Sequence, residues 1–219
     1  MMKNVLLFFL ALVIGISGYW FSIQYVQSTI KTPSTLPRSI PTEIISYSIK
    51  NPPSEALMGT MSSLIGEIQI ETRDATEPAK LKNAQSVMQG ERVLSAEKGS
   101  VRITYGIDTT ILLDNDTDVS FTQTLPISIV ITQNKGTVTY SQNTDTFPLS
   151  VRVRNLLVRL VSGSVTISLE DSDPLIRVVV HGGSVKIAYN NNSFESQVNT
   201  LSKGDTMIFD SDARNATIE

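Results

Sequence analysis

The chain has no cysteine and a single histidine, His181, among its 219 residues. That excludes disulfide staples, thiolate zinc sites, a thiol nucleophile and a cysteine-borne lipid anchor. A lone imidazole makes no zinc site unless carboxylates converge on it by folding, and no nucleophile motif accompanies it. Gly182-Gly183 lacks the further glycine, the lysine and the following helix of a phosphate loop. Positive charge is also short: 18 Lys and Arg face 21 Asp and Glu, a formal charge of −3. That balance speaks against nucleic acid as a partner. Of 14 Phe, Trp and Tyr residues, six sit in or beside the first apolar run and eight are scattered singly from Tyr47 to Phe209. No aromatic row exists on which bases or sugar rings would stack. The composition points to a non-enzymatic protein with no cofactor.

Charge is missing altogether between Asn4 and Ile30, and Val5 to Ile23 is almost wholly apolar. These nineteen residues span roughly 28 Å as a helix, close to the hydrocarbon thickness of a bilayer, about 30 Å. Tyr19, Trp20, Phe21 and Tyr25 gather at the far end, where amphipathic rings favour the headgroup zone. Residues 1–30 are read as a short inside tail and a transmembrane signal-anchor helix, with Val5, Leu12, Ile16, Trp20 and Ile23 along the anchor. Lys3, the apolar run and Gly15-Ile16-Ser17 also fit a cleavable signal peptide, but apolar residues continue past Ser17, which favours retention. The chain after Ile30 is expected outside the cytoplasm, in a single-pass arrangement. With Lys3 set aside, the exported part carries −4 and is not drawn electrostatically onto anionic lipid.

Residues 31–60 form a Pro/Ser/Thr-rich stalk: Pro33, Pro37, Pro41, Pro52 and Pro53 favour extended, poorly packed backbone. Glu43 to Ile49 alternates imperfectly and suits a first strand. Ser54 to Ser63, after Pro52-Pro53, is the one plausible helical piece beyond the anchor.

From residue 61 to 219 the pattern is β throughout. Five times the chain writes Gly, polar, aliphatic, polar, then aliphatic or Tyr: Gly66 to Ile70, Gly99 to Ile103, Gly136 to Tyr140, Gly163 to Ile167 and Gly183 to Ile187. Each reads as a glycine turn followed by a half-buried strand. Further β-rich runs lie at 110–113, 119–121, 127–131, 156–161 and 176–180, separated by Asn, Asp, Gly and Ser clusters. Gly66, Gly90, Gly99, Gly136, Gly163, Gly183 and Gly204 are the expected structural turns.

The run from Gly66 to Phe121 resembles the FecR-like domain. The likeness rests on Gly66-Glu67-Ile68-Gln69-Ile70, on Val87-Met88-Gln89-Gly90-Glu91-Arg92-Val93-Leu94-Ser95, on Gly99-Ser100-Val101-Arg102-Ile103 and on Leu113-Asp114-Asn115-Asp116-Thr117. Downstream, Ile176 to Ile187 and Leu201-Ser202-Lys203-Gly204-Asp205 are similar to the closing part of the family pattern, so the resemblance spans roughly 61 to 210. It implies an extracytoplasmic all-β body, a FecR-like β-sandwich or a short β-helix-like fold, that binds or senses at the envelope. Members that restrain sigma factors place a cytoplasmic helical segment before the membrane helix, whereas Met1 to Asn4 alone precede it here. At 106–108 the chain reads Gly-Ile-Asp where the family has Asp-Gly.

Asp114, Asp116 and Asp118 stand at alternate positions like the first ligands of a calcium loop. Val119 and Leu125, however, occupy the places of its Gly and bidentate Glu, so they are weak metal candidates beside a solvated turn. Glu170, Asp171 and Asp173 before Pro174 form a second acidic turn. Asn115, Asn191 and Asn215 begin glycan-acceptor triplets, unused in a bacterial envelope protein. The expected partners are membrane lipid, through the N-terminal helix, and another envelope protein or wall polymer. The expected role is binding or sensing, with transmembrane signalling or a structural, adhesive scaffold as the rival outcomes.

Overall fold

Period-two alternation predicts strands that bury every second side chain, and this is how the chain folds. The computed structural model describes residues 54–81, 84–144 and 148–219. The anchor residues Val5 to Ile23, nearly all of the segment read as stalk and the strand suggested at Glu43 to Ile49 lie outside the described residues. Among the described residues there is no helix, and so none long and apolar enough to cross a membrane. The helix expected near Ser54 to Ser63 is instead a strand from Gly59, because Met61 fills the core while Thr60 and Ser62 alternate outward.

In chain order the strands are β1 (Gly59–Ile65), β2 (Ile68–Glu71), β3 (Ala79–Lys80), β4 (Gln85–Val87), β5 (Arg92–Ser95), β6 (Ser100–Tyr105), β7 (Thr109–Leu113) and β8 (Thr117–Leu125). They continue as β9 (Ser128–Gln142), β10 (Leu149–Val153), β11 (Leu156–Leu169), β12 (Leu175–Asn190), β13 (Ser196–Ser202), β14 (Thr206–Asp210) and β15 (Asn215–Ile218). All belong to one hydrogen-bonded sheet. The long strands β9, β11 and β12 each change partners half-way. The first half of β9 pairs with β8 and, in parallel, with β10, and its second half pairs with β7 and β11. The strands therefore sort into two arms. One runs β3-β2-β5-β8-β9-β10-β11-β12-β13 and the other β4-β1-β6-β7-β9-β11-β12-β14-β15.

The two arms face each other across a single apolar core built mainly of Val, Ile and Leu. Ring contacts cross between them: Tyr105 of β6 lies 6.1 Å from Phe121 of β8, and Tyr189 of β12 lies 4.8 Å from Phe209 of β14. Each fully buried aliphatic side chain contributes about 1.5–3 kcal/mol.

The bends correct the sequence reading. Gly136, Gly163 and Gly183 are not turns between separate strands. They lie inside β9, β11 and β12, where the backbone passes from one arm to the other with φ of 87°, 112° and 71°. The buried side chains are odd-numbered before the bend in β9 and even-numbered after it, and the reverse holds in β11 and β12. In β11 and β12 a bulge supplies the phase change. Gly163 and Gly183 sit opposite each other, and a Cβ on either would strike the carbonyl of Gly182 or Ser162. Only glycine suits both the dihedral and the contact. Gly66, Gly90 and Gly204 do stand in turns with positive φ, and the Gly99 N–H closes a turn onto the Ala96 carbonyl at 2.8 Å.

Candidate functional site

Folding brings together two acidic turns that lie more than fifty residues apart in the chain. The Asn115–Asp116 turn, between β7 and β8, and the Glu170–Ser172 turn, between β11 and β12, face each other across a cleft of about 450 Å³. Lys135, beside the bend of β9, stands between them. Its Nζ is 2.8 Å from the Asp116 carboxylate and 3.7 Å from that of Asp171. The hydrogen bond that Lys135 donates to the Asp116 carboxylate raises the Lys135 pKa, against a smaller opposing effect of desolvation. The pairing with the two carboxylates favours the protonated form of Lys135. Two hydroxyls on the cleft wall engage each other, Thr137 donating to Ser168 at 3.0 Å.

Asp114, Asp116 and Asp118 are not brought onto one point. Asp114 turns its carboxylate to the Asn115 N–H at 2.8 Å, and Asp116, at φ 50°, pairs with Lys135. Asp118 is gripped by Arg92, whose Nε donates at 2.8 Å and whose second nitrogen bonds the other oxygen, and it accepts from Asn134 at 3.1 Å. Arg92 also reaches Glu71 at 3.2 Å, so this network ties β2, β5, β8 and β9 together on the outer face of the first arm. Among the described residues no three His, Cys, Asp or Glu side chains gather as a metal site. The second acidic turn is clamped through its backbone instead: Arg154 donates to the carbonyls of Asp173 at 2.7 Å and Glu170 at 2.8 Å. His181 lies in the bend of β12, with its Nε2 2.8 Å from the Thr166 hydroxyl.

Two features escaped the sequence reading. On the outer face of the second arm, Thr139 meets Thr166 at 2.8 Å and Ser141 meets Ser164 at 2.9 Å, extending the Thr137–Ser168 contact into a hydroxyl ladder between β9 and β11. Its signal was the alternate Thr and Ser of 137–141 and 164–168. On the outer face of the first arm, Arg152, Arg159 and Lys186 lie on adjacent strands without an ion pair among the described residues. Arg159 stands directly opposite Lys186, an unfavourable placement of like charges. It was invisible until the β11–β12 register was known.

No protein-family model matches the chain, and no curated protein does. Two solved structures from Parabacteroides distasonis ATCC 8503, both provisionally described as an anti-sigma factor, superpose with a TM-score of 0.51 at 17% and 16% identity. The likeness is one of fold. In each case it covers 58% of this chain and 58% of that one, so the matched region spans little more than half of those proteins.

Proposed function

We propose that the protein is a membrane-anchored, extracytoplasmic FecR-like module without enzymatic activity, which binds or senses at the cell envelope and passes that event on as a regulatory signal. The observation that carries this reading is the shared fold with two proteins described as anti-sigma factors, taken with FecR-like motifs that fall on the strands and turns of the same β-body. The apolar run at Val5 to Ile23 is the proposed tether. Another membrane protein is the proposed relay.

The test is protease protection on spheroplasts with mass determination of the surviving chain. Full digestion of the β-domain from outside, with a mass that includes residues 1–30, is the expected result. A β-domain protected until the membrane is opened would overturn the orientation. In-cell crosslinking then separates the rival roles: capture of a membrane-embedded regulator supports signalling, whereas retention on purified wall polymer without such capture replaces it with a scaffold.

A further inference from the structure

Four strands end the two arms. β3 has two residues, β4 three and β15 four, lengths that offer little backbone to another chain. β13 differs. It runs seven residues, pairs with β12 residue for residue without a bulge, and carries no proline and no charge. The devices that guard an exposed edge are absent from it, and Val198 at its middle is 66% exposed.

The ladder with β12 fixes which backbone groups of β13 face outward. The Asn191 N–H donates to the Glu195 carbonyl at 2.9 Å. By the alternation of an antiparallel pair, the odd-numbered residues of β13 bond β12, while Ser196, Val198 and Thr200 turn their N–H and C=O groups to the open side; the N–H and C=O of Ser202 are engaged with Asp205 at 2.8 and 3.0 Å. Val198 and Thr200 lie symmetrically about Asn199. A second copy related by a two-fold axis through Asn199 meets them in phase, Val198 against its Thr200 and Thr200 against its Val198. The same axis sets Glu195 opposite Lys203 of the second copy, and does so twice. Both side chains are exposed, and neither has an ion pair among the described residues, Glu195 accepting only a hydrogen bond from Asn191. A neutral strand with opposite charges at its two ends complements itself when antiparallel and repels itself when parallel.

We infer that β13 is a self-association edge, where two copies of this chain pair antiparallel about Asn199 and continue the first arm across a two-fold dimer. The inference stands apart from the proposed function, and its readout is the mass of the chain alone.

The test uses the full-length protein, whose lack of cysteine makes single-cysteine variants unambiguous. Asn199→Cys places two thiols on the axis as a non-hydrogen-bonded pair, with Cα atoms about 4.5 Å apart, inside the range a disulfide spans. Mild oxidation is expected to convert Asn199→Cys to a linked dimer and to leave Thr217→Cys, on β15, unlinked. Val198→Pro removes an N–H that points to the open side and leaves the β12 ladder whole. Sedimentation is expected to show a dimer for the natural chain and a monomer for Val198→Pro, with unchanged far-ultraviolet dichroism. Glu195→Lys and Lys203→Glu are each expected to weaken the dimer several-fold, and the two together to restore it. A natural chain that stays monomeric while Asn199→Cys fails to link overturns the inference. So does a dimer indifferent to both Val198→Pro and the charge reversals. A monomer that loses a bound foreign protein on Val198→Pro also overturns it, and assigns the edge to that protein's strand.

Discussion

Gln133 is the polar residue on which the bend of β9 turns, and replacing it tests the account of the fold most sharply. It is 1% exposed, and its Nε2 donates to the carbonyls of Gly136 at 2.9 Å and Ile167 at 3.0 Å. Its Oε1 accepts from the Tyr140 hydroxyl at 3.1 Å. The amide thus ties both halves of β9 to each other and to β11. Gln133→Leu keeps the bulk but removes three hydrogen bonds, each with a net contribution of about 0.5–1.5 kcal/mol, and strands the fully buried Tyr140 hydroxyl at about 1–3 kcal/mol more. The expected loss is about 2.5–7.5 kcal/mol, against a total stability of about 5–15 kcal/mol for an ordinary domain. At about 2–4 °C per kcal/mol for a chain of this size, the melting temperature falls by about 5–30 °C. Tyr140→Phe alone costs about 1 kcal/mol, but in the Gln133→Leu background it removes the stranded hydroxyl and becomes stabilising. Urea unfolding followed by far-ultraviolet dichroism on all four proteins completes the cycle. If Tyr140→Phe destabilises equally in both backgrounds, the Tyr140–Gln133 bond is not what holds the bend.

Gly183→Ala introduces a Cβ at φ 71° against the Ser162 carbonyl, and is expected to lower stability by at least about 1–2 kcal/mol from the left-handed dihedral alone, whereas Gly182→Ala meets open space and is expected to leave the urea midpoint nearly unchanged. Glu91 has its pKa raised by desolvation, opposed by the Met88 N–H and by Arg73. The folded state therefore binds more protons than the unfolded chain between the ordinary carboxylate range and the raised value, and stability falls as pH rises through that window. Glu91→Gln is expected to remove this slope, and urea midpoints measured from pH 4 to pH 7 that decline in parallel for both proteins would refute it. Arg92→Ala leaves Asp118, whose side chain is 13% exposed, without its bidentate partner, and is expected to cost about 1–3 kcal/mol. Arg92→Lys is expected to recover only part of that, because an ammonium does not reproduce the fork.

The interruptions at Gly136, Gly163 and Gly183 were legible in the sequence as turns, but what they do in the fold was not. Breaking a period of two marks either a turn that ends one strand or a bulge that carries a single strand round a corner, and local residues look alike in both cases. The runs at 127–131, 156–161 and 176–180 were each legible as strands, yet each proved to be half of a longer one. The candidate cleft was half legible: both acidic turns stood out by composition, while Lys135, flanked by Asn134 and Gly136, gave no sign that it would bridge them.

What the sequence by itself determined is the β class, the alternation that chooses which Val, Ile, Leu and Tyr side chains are buried, and the glycines at which the backbone changes direction. These follow from short-range sterics and the two-residue pleat. Only the tertiary structure decided that three of those glycines fold one sheet onto itself, that the two acidic turns meet on a lysine, and that β13 is left as an open edge. Those outcomes depend on which distant strands share hydrogen bonds, and the backbone groups that form them are the same in every residue but proline.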